Sequence, residues 1–246
     1  MAKKPTKPQA RGKQITKSEL PEGLVSLAPV TYPVADTAVT ALQVWHNPDR
    51  KPSGDGPWND EADKVAWVDK ETGLGCIILR QENGTLSGYV GVDPSHPLFG
   101  FDAEAVPLEI SNSVHGGLTY GKACEVNRFA LEAYGDPWTE RYTVCHVTVT
   151  RIKRNYRTVQ ATKDEFEHED LWWLGFDTDH IGDFVPKGYD RSSRKDDVYR
   201  DQAYVYGQII AFARALEELG GASSSPTGDT PETLQLPPPN RQNGAD

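Results

Sequence analysis

Apolar and polar positions follow a strand-like pattern most clearly in the first half of the chain. Val65-Ala66-Trp67-Val68, Cys76 to Leu79 and Leu86 to Val92 are short apolar or alternating runs set apart by glycine-containing turns. Asn83-Gly84 lies between the last two, and both residues tolerate the positive φ of a tight type I′ turn, so a hairpin is expected there. Further strands are expected at Pro107 to Ile110, Tyr142 to Thr150 and Leu171 to Asp177. Towards the end the period changes. Val198, Val205, Ile209, Phe212, Ala213, Leu216 and Leu219 recur at three-and-four spacing and predict one amphipathic helix over 197–219. Asp196 and Asp197 are placed to cap its start, and Gly220-Gly221 to stop it. An antiparallel sheet packed against one long C-terminal helix, an α+β domain, is the fold this pattern implies.

Composition limits how much of the chain enters that fold. Of 246 residues 37% are hydrophobic, below the roughly 45–50% of an average globular chain. The shortfall falls at the ends, so residues 1–20 are expected as a disordered basic tail, 21–220 as the single domain and 221–246 as a disordered Pro/Ser-rich tail. No apolar run is long enough for a membrane-spanning helix and the first residues lack a secretory h-region, which leads to a soluble, unexported protein.

Charge narrows the partners. The net charge of −10 includes six basic residues and no acid among the first 17, which leaves 20 basic against 36 acidic residues, or −16, in the remainder. An acidic body repels phosphate backbones, so stable nucleic-acid binding by the folded part is not expected. The three cysteines, Cys76, Cys124 and Cys145, contain no CxxC pair. They are no disulfide framework. Cys76 and Cys145 read as small apolar side chains in strands, and a reducing bacterial cytoplasm suits that usage.

Two polar constellations carry candidate chemistry. Trp172-Trp173-Leu174-Gly175-Phe176-Asp177-Thr178-Asp179-His180-Ile181-Gly182-Asp183 delivers three carboxylates and an imidazole onto a glycine turn at the end of a strand. Ser113-Val114-His115-Gly116-Gly117-Leu118-Thr119-Tyr120 places two flexible glycines after a histidine, where backbone amides can approach an anion. Imidazole and carboxylate together form the ligand set of Zn²⁺, Mn²⁺ or Fe²⁺. The same residue types also build side-chain-to-backbone turns, and the sequence leaves both readings open. No GxSxG elbow accompanies the HGG element, which argues against a serine hydrolase. Cys145-His146 suggests a thiol nucleophile, yet neighbours on a strand face opposite ways, so His146 is the better contributor to an inward cluster. Glu61, in Gly56-Pro57-Trp58-Asn59-Asp60-Glu61-Ala62-Asp63, reads as a helix-capping acid or a general base. Arg200 reads as a receptor for a substrate carboxylate or phosphate, or as a partner of a neighbouring acid.

As an ordered set, Gly56-Pro57-Trp58, Gly88-Tyr89-Val90-Gly91-Val92, His96-Pro97-Leu98, His115-Gly116-Gly117-Leu118-Thr119, Trp172 to Asp183 and Tyr199-Arg200-Asp201 resemble a group of bacteriophage and prophage proteins. That group shares an HGGLT element and a WWxGFDxxHxGD element. The resemblance covers about 56–215 and implies a viral or prophage gene product in a bacterial cytoplasm, with no assigned reaction. The chain departs from the group at Asp179, where a small residue is expected, and in the stretch 151–170. No GNH element is present, so kinship with metallophosphoesterases is not supported.

These observations lead to one expected pocket. His115, His180 and Asp183 are the expected ligands of a divalent metal ion, Asp177 the group that orients or deprotonates water, and Gly116, Gly117 and Arg200 the receptors of negative charge. The expected activity is hydrolysis of a small phosphorylated or nucleotide-like substrate. The alternative is a non-catalytic protein that sequesters a host molecule or blocks a host defence protein.

Overall fold

A computed structural model describes residues 29–124, 142–146, 171–188 and 194–224. Seven strands, β1 (Val30–Val34), β2 (Thr37–Trp45), β3 (Lys64–Val68), β4 (Gly75–Arg80), β5 (Leu86–Val92), β6 (Tyr120–Ala123) and β7 (Trp172–Phe176), form one sheet in the order β1-β2-β3-β4-β5-β7-β6. Every neighbouring pair is antiparallel. Among the described residues two named α-helices accompany it, the short α1 (Leu108–Ser111) and the long α2 (Gln202–Ser224). None of the described helices is long and apolar enough to cross a membrane.

The two-residue alternation of strand side chains sorts the core into two faces. Val65, Trp67, Cys76, Ile78, Leu86, Val90, Val92, Leu174 and Phe176 meet Val205, Ile209, Phe212, Ala213 and Leu216 of α2. Ala66, Ile77, Leu79, Tyr89 and Trp173 fill the opposite face with Val144. β3, β4 and β5 are buried on both sides, which is why their sequences read as nearly continuous apolar runs.

Several elements differ from the sequence expectation. Pro107 to Ile110 is not a strand. Pro107 precedes the single helical turn of α1, where its missing N–H costs nothing, and Glu109 sits in the first turn. Tyr142 to His146 is likewise not in a strand, and 147–150 lie outside the described residues. The β4–β5 connection is longer than a type I′ turn. Only Gly84 has positive φ, its N–H bonds the Gln81 carbonyl, and the Gln81 N–H bonds Thr85, so paired Arg80 and Leu86 flank a five-residue loop.

The helix also starts and ends later than its pattern suggested. Asp197 is taken up by the Arg194 N–H, and Asp201 caps α2 by accepting the Tyr204 N–H at 2.8 Å. Gly220 and Gly221 lie inside α2. Gly220 passes close to His96, where a Cβ would stand 3.0 Å from the ring. Strands β1 and β2 had no turn signal between them, because their hairpin turns through Ala35-Asp36, with Ala35 held at φ 52. The 1–20 tail, the stretch 151–170 and residues beyond 224 lie outside the described residues.

Candidate functional site

β7 ends at Phe176, and the chain turns through His180 to Asp183 beside the start of α2. Gly182, at φ 95, permits this turn, which closes through the Asp183 N–H on the His180 carbonyl and the His180 N–H on Asp183 Oδ2. A second segment is laced alongside it. Val198 N–H bonds the Gly182 carbonyl and Phe184 N–H bonds the Val198 carbonyl, both at 3.0 Å, which carries Tyr199 and Arg200 to the site. The HGG loop arrives from the other side, fixed by the Thr119 N–H on Gly175 and the Leu118 N–H on Ser111 Oγ.

Asp183 is the hub where the segments meet, its side chain only 1% exposed. Oδ2 lies 2.7 Å from His115 Nε2 and 3.8 Å from His180 Nδ1, while Oδ1 accepts Arg200 Nε at 2.8 Å. Desolvation pushes this carboxyl upward, but the hydrogen bonds from Arg200 and His115 outweigh it and hold Asp183 below the usual carboxylate range. His115 Nδ1 faces the Tyr204 hydroxyl at 2.9 Å, so the imidazole is oriented from both ends. The His115 and His180 rings are 5.3 Å apart, edge to face.

His115, His180 and Asp183 thus converge as the sequence suggested, with one ligand atom from each lying within 4.8 Å of the others. Donors at about 2.0–2.2 Å from one ion are at most about 4.4 Å apart, so the three ligand atoms stand slightly farther apart than a single ion requires. The donor set and an oriented imidazole fit a transition-metal ion. The turn reading is realised as well, since the Asp183 carboxylate that faces both histidines also closes the 180–183 turn.

Other expected site residues are placed differently. Asp177 accepts the Ser87 hydroxyl on Oδ1 at 2.5 Å and the Thr119 hydroxyl on Oδ2 at 2.7 Å, and so ties the HGGLT loop to β5 rather than facing the cluster. Gly117 directs its N–H to the Val114 carbonyl, not outwards. Gly116, at φ 69, serves another purpose: a Cβ there would come within 2.2 Å of the His180 ring, so only glycine lets the two loops meet. Asp179 accepts the Asn83 side-chain amide.

His146 packs against Trp173 on the far face and contacts the Cys76 carbonyl at 3.0 Å, and burial drives its pKa down to about 4. It does not join the cluster. The cysteine readings are corrected too: Cys145 is bonded to Cys124 in a disulfide, so it is neither a thiol nucleophile nor the unpaired strand side chain expected of a reducing compartment, whereas Cys76 is buried in β4 with its thiol pushed up by desolvation. Tyr204, in the polar stretch 199–204 that opens the helix, is the residue that orients His115.

Glu61 belongs to a separate, buried knot. It accepts Arg80 Nη2 at 2.8 Å, the Tyr199 hydroxyl at 2.7 Å and the Gln202 N–H at 2.9 Å, so it caps α2 rather than a helix of its own. Asp63 accepts Arg80 Nε and the Asn47 N–H. No family model, curated protein or solved structure matches the chain.

Proposed function

We propose that His115, His180 and Asp183 hold a divalent transition-metal ion, and that the protein is a metal-dependent hydrolase of a small phosphorylated or nucleotide-like substrate. The convergence of three ligand atoms from loops 65 residues apart, within 4.8 Å, carries this reading. A bound ion would supply Lewis acidity and lower the pKa of water towards neutrality. Arg200 supports the choice of an anionic substrate. Among the described residues its only hydrogen bond is from Nε to Asp183, with the guanidinium 4.7 Å from the Tyr204 ring centre, so Nη1 and Nη2 remain for a phosphate. Tyr204 holds His115 through Nδ1, which leaves Nε2 as the ligand atom once Nδ1 carries the proton. Asp177 acts through Thr119, as the residue that positions the loop. The resemblance to phage and prophage proteins supports a phage-encoded α+β protein working in a bacterial host cytoplasm.

Metal analysis of the purified protein, titration with Zn²⁺ and Mn²⁺, and a screen of nucleotides and phosphoesters with and without chelator test this reading. Stoichiometric metal lost in Asp183→Asn, together with chelator-sensitive turnover, is the expected result. An unmetallated protein that neither takes up these ions nor turns over any phosphoester would overturn it. The second reading, a non-catalytic protein that captures a host protein or small molecule, is favoured by the −16 balance of the chain after its first 17 residues. It predicts a stoichiometric partner whose capture survives His180→Ala.

A further inference from the structure

On the sheet face away from α2, a short segment from Tyr142 to His146 covers the apolar surface. Val144 joins Ala66, Ile77, Leu79, Tyr89 and Trp173, and the His146 ring lies 4.9 Å from that of Trp173. The segment is fastened covalently. Cys145, 1% exposed, is bonded to Cys124, which directly follows edge strand β6 and is itself half-buried. Lys64, fully buried on β3, donates Nζ to the Cys145 carbonyl at 3.1 Å. A fully buried ammonium is costly, and this one reaches the backbone of a disulfide cysteine.

We infer that the Cys124–Cys145 bond is a thiol–disulfide exchange site, with Cys124 as the sulfur attacked and Cys145 as the leaving thiolate stabilised by Lys64. The argument is one of access and charge. Of the two sulfurs, the one belonging to half-buried Cys124 is the more approachable from solvent. Exchange is faster when the departing thiol has a low pKa, and a neighbouring ammonium lowers it. The co-reactant is a thiol reductant. Its thiolate attacks Cys124 Sγ, a new S–S bond forms as the Cys124–Cys145 bond breaks, and the electron pair leaves on Sγ of Cys145, the residue whose carbonyl holds the Lys64 ammonium. A second thiol then displaces Cys124 from the mixed disulfide. Two electrons and two protons pass to the protein, which holds two thiols, while the reductant leaves as a disulfide. The segment is then held to the sheet by non-covalent contacts, among them Lys64 to the Cys145 carbonyl, His146 to the Cys76 carbonyl and Arg50 over the Tyr142 ring.

The test uses the full chain purified without reductant, incubated with glutathione and quenched by alkylation, with each cysteine read by peptide mass. The expected outcome is a glutathione adduct on Cys124 and an alkylated Cys145, with buried Cys76 untouched until denaturation. Lys64→Met should slow reduction about three- to tenfold, and Lys64→Arg should restore most of the rate. Reduction by dithiothreitol should raise hydrogen exchange over 142–146 while β4 stays protected. Three alkylatable thiols in the unreduced denatured protein, or an adduct on Cys145, would overturn the inference. So would a folded Lys64→Met protein reduced at the wild-type rate. If Lys64→Met does not fold, the adduct's position in the wild-type protein decides.

Discussion

The start of α2 is held to the rest of the molecule by two clusters built from similar chemistry, an arginine on carboxylate with a tyrosine hydroxyl in the network. In the first, Arg80 joins Glu61, Asp63 and Tyr199, with the Arg80 side chain fully buried. In the second, Arg200 and His115 join Asp183, with the Arg200 and His115 side chains 26% and 15% exposed. Arg80 uses Nε, Nη1 and Nη2, whereas Arg200 spends one donor. The teaching is that saturation and burial, rather than residue type, separate a structural ion knot from a site with valences left for a ligand.

The largest expected effect breaks the closed cluster. Arg80→Met should cost about 3–5 kcal/mol in urea denaturation, since it removes the fully buried guanidinium shared by Glu61 and Asp63 and leaves Asp63 with the partly exposed Lys51 as its ion partner. A loss below about 1 kcal/mol would mean the knot is as adaptable as the open site. Burial by itself is probed at His146, whose pKa of about 4 contrasts with about 6.5 in an unfolded chain. Between those values the unfolded chain binds more protons, so this contribution is complete above about pH 6.5 and lost as pH falls towards 4. The loss approaches about 3 kcal/mol. Thermal midpoints of wild type and His146→Gln should therefore converge on acidification, and parallel curves would count against a neutral, buried imidazole.

At the open site the effects move from stability to binding. Tyr204→Phe removes the partner of His115 Nδ1 and should weaken metal binding about 10–100-fold with little change in unfolding, as measured by competitive chelation. Unchanged affinity would show that His115 is not oriented through Tyr204. The smallest expected change is the stability of Arg200→Met, no more than about 2 kcal/mol, because Asp183 keeps its bonds from His115 and the His180 N–H. A larger loss would erase the contrast with Arg80 and make the second cluster structural.

The central strands were legible because β3, β4 and β5 bury both faces, and apolar runs of that length carry their own signal. The hairpin of β1 and β2 was hidden by an Ala-Asp turn lacking the usual glycine or asparagine. The pairing of Cys124 with Cys145 gave no signal either, since their spacing matches no motif and only the packing of 142–146 beside β6 brings the two together. His115, His180 and Asp183 were marked by their glycines, while the bond between Tyr204 and His115 joins residues 89 apart and exists only in the fold.

What the sequence determined by itself was local: strand runs, a helical period, and two glycine turns that concentrate polar groups. Those properties depend on neighbours in the chain, so periodicity and residue type suffice to specify them. The valence of each polar group was decided only by tertiary structure. Asp177 and Asp183 lie six residues apart in one motif, yet one accepts the Ser87 and Thr119 hydroxyls while the other meets two imidazoles and an arginine. Their partners come from β5, the HGG loop and the approach to α2, so the distinction between an anchoring acid and a candidate ligand arises only where those distant segments pack.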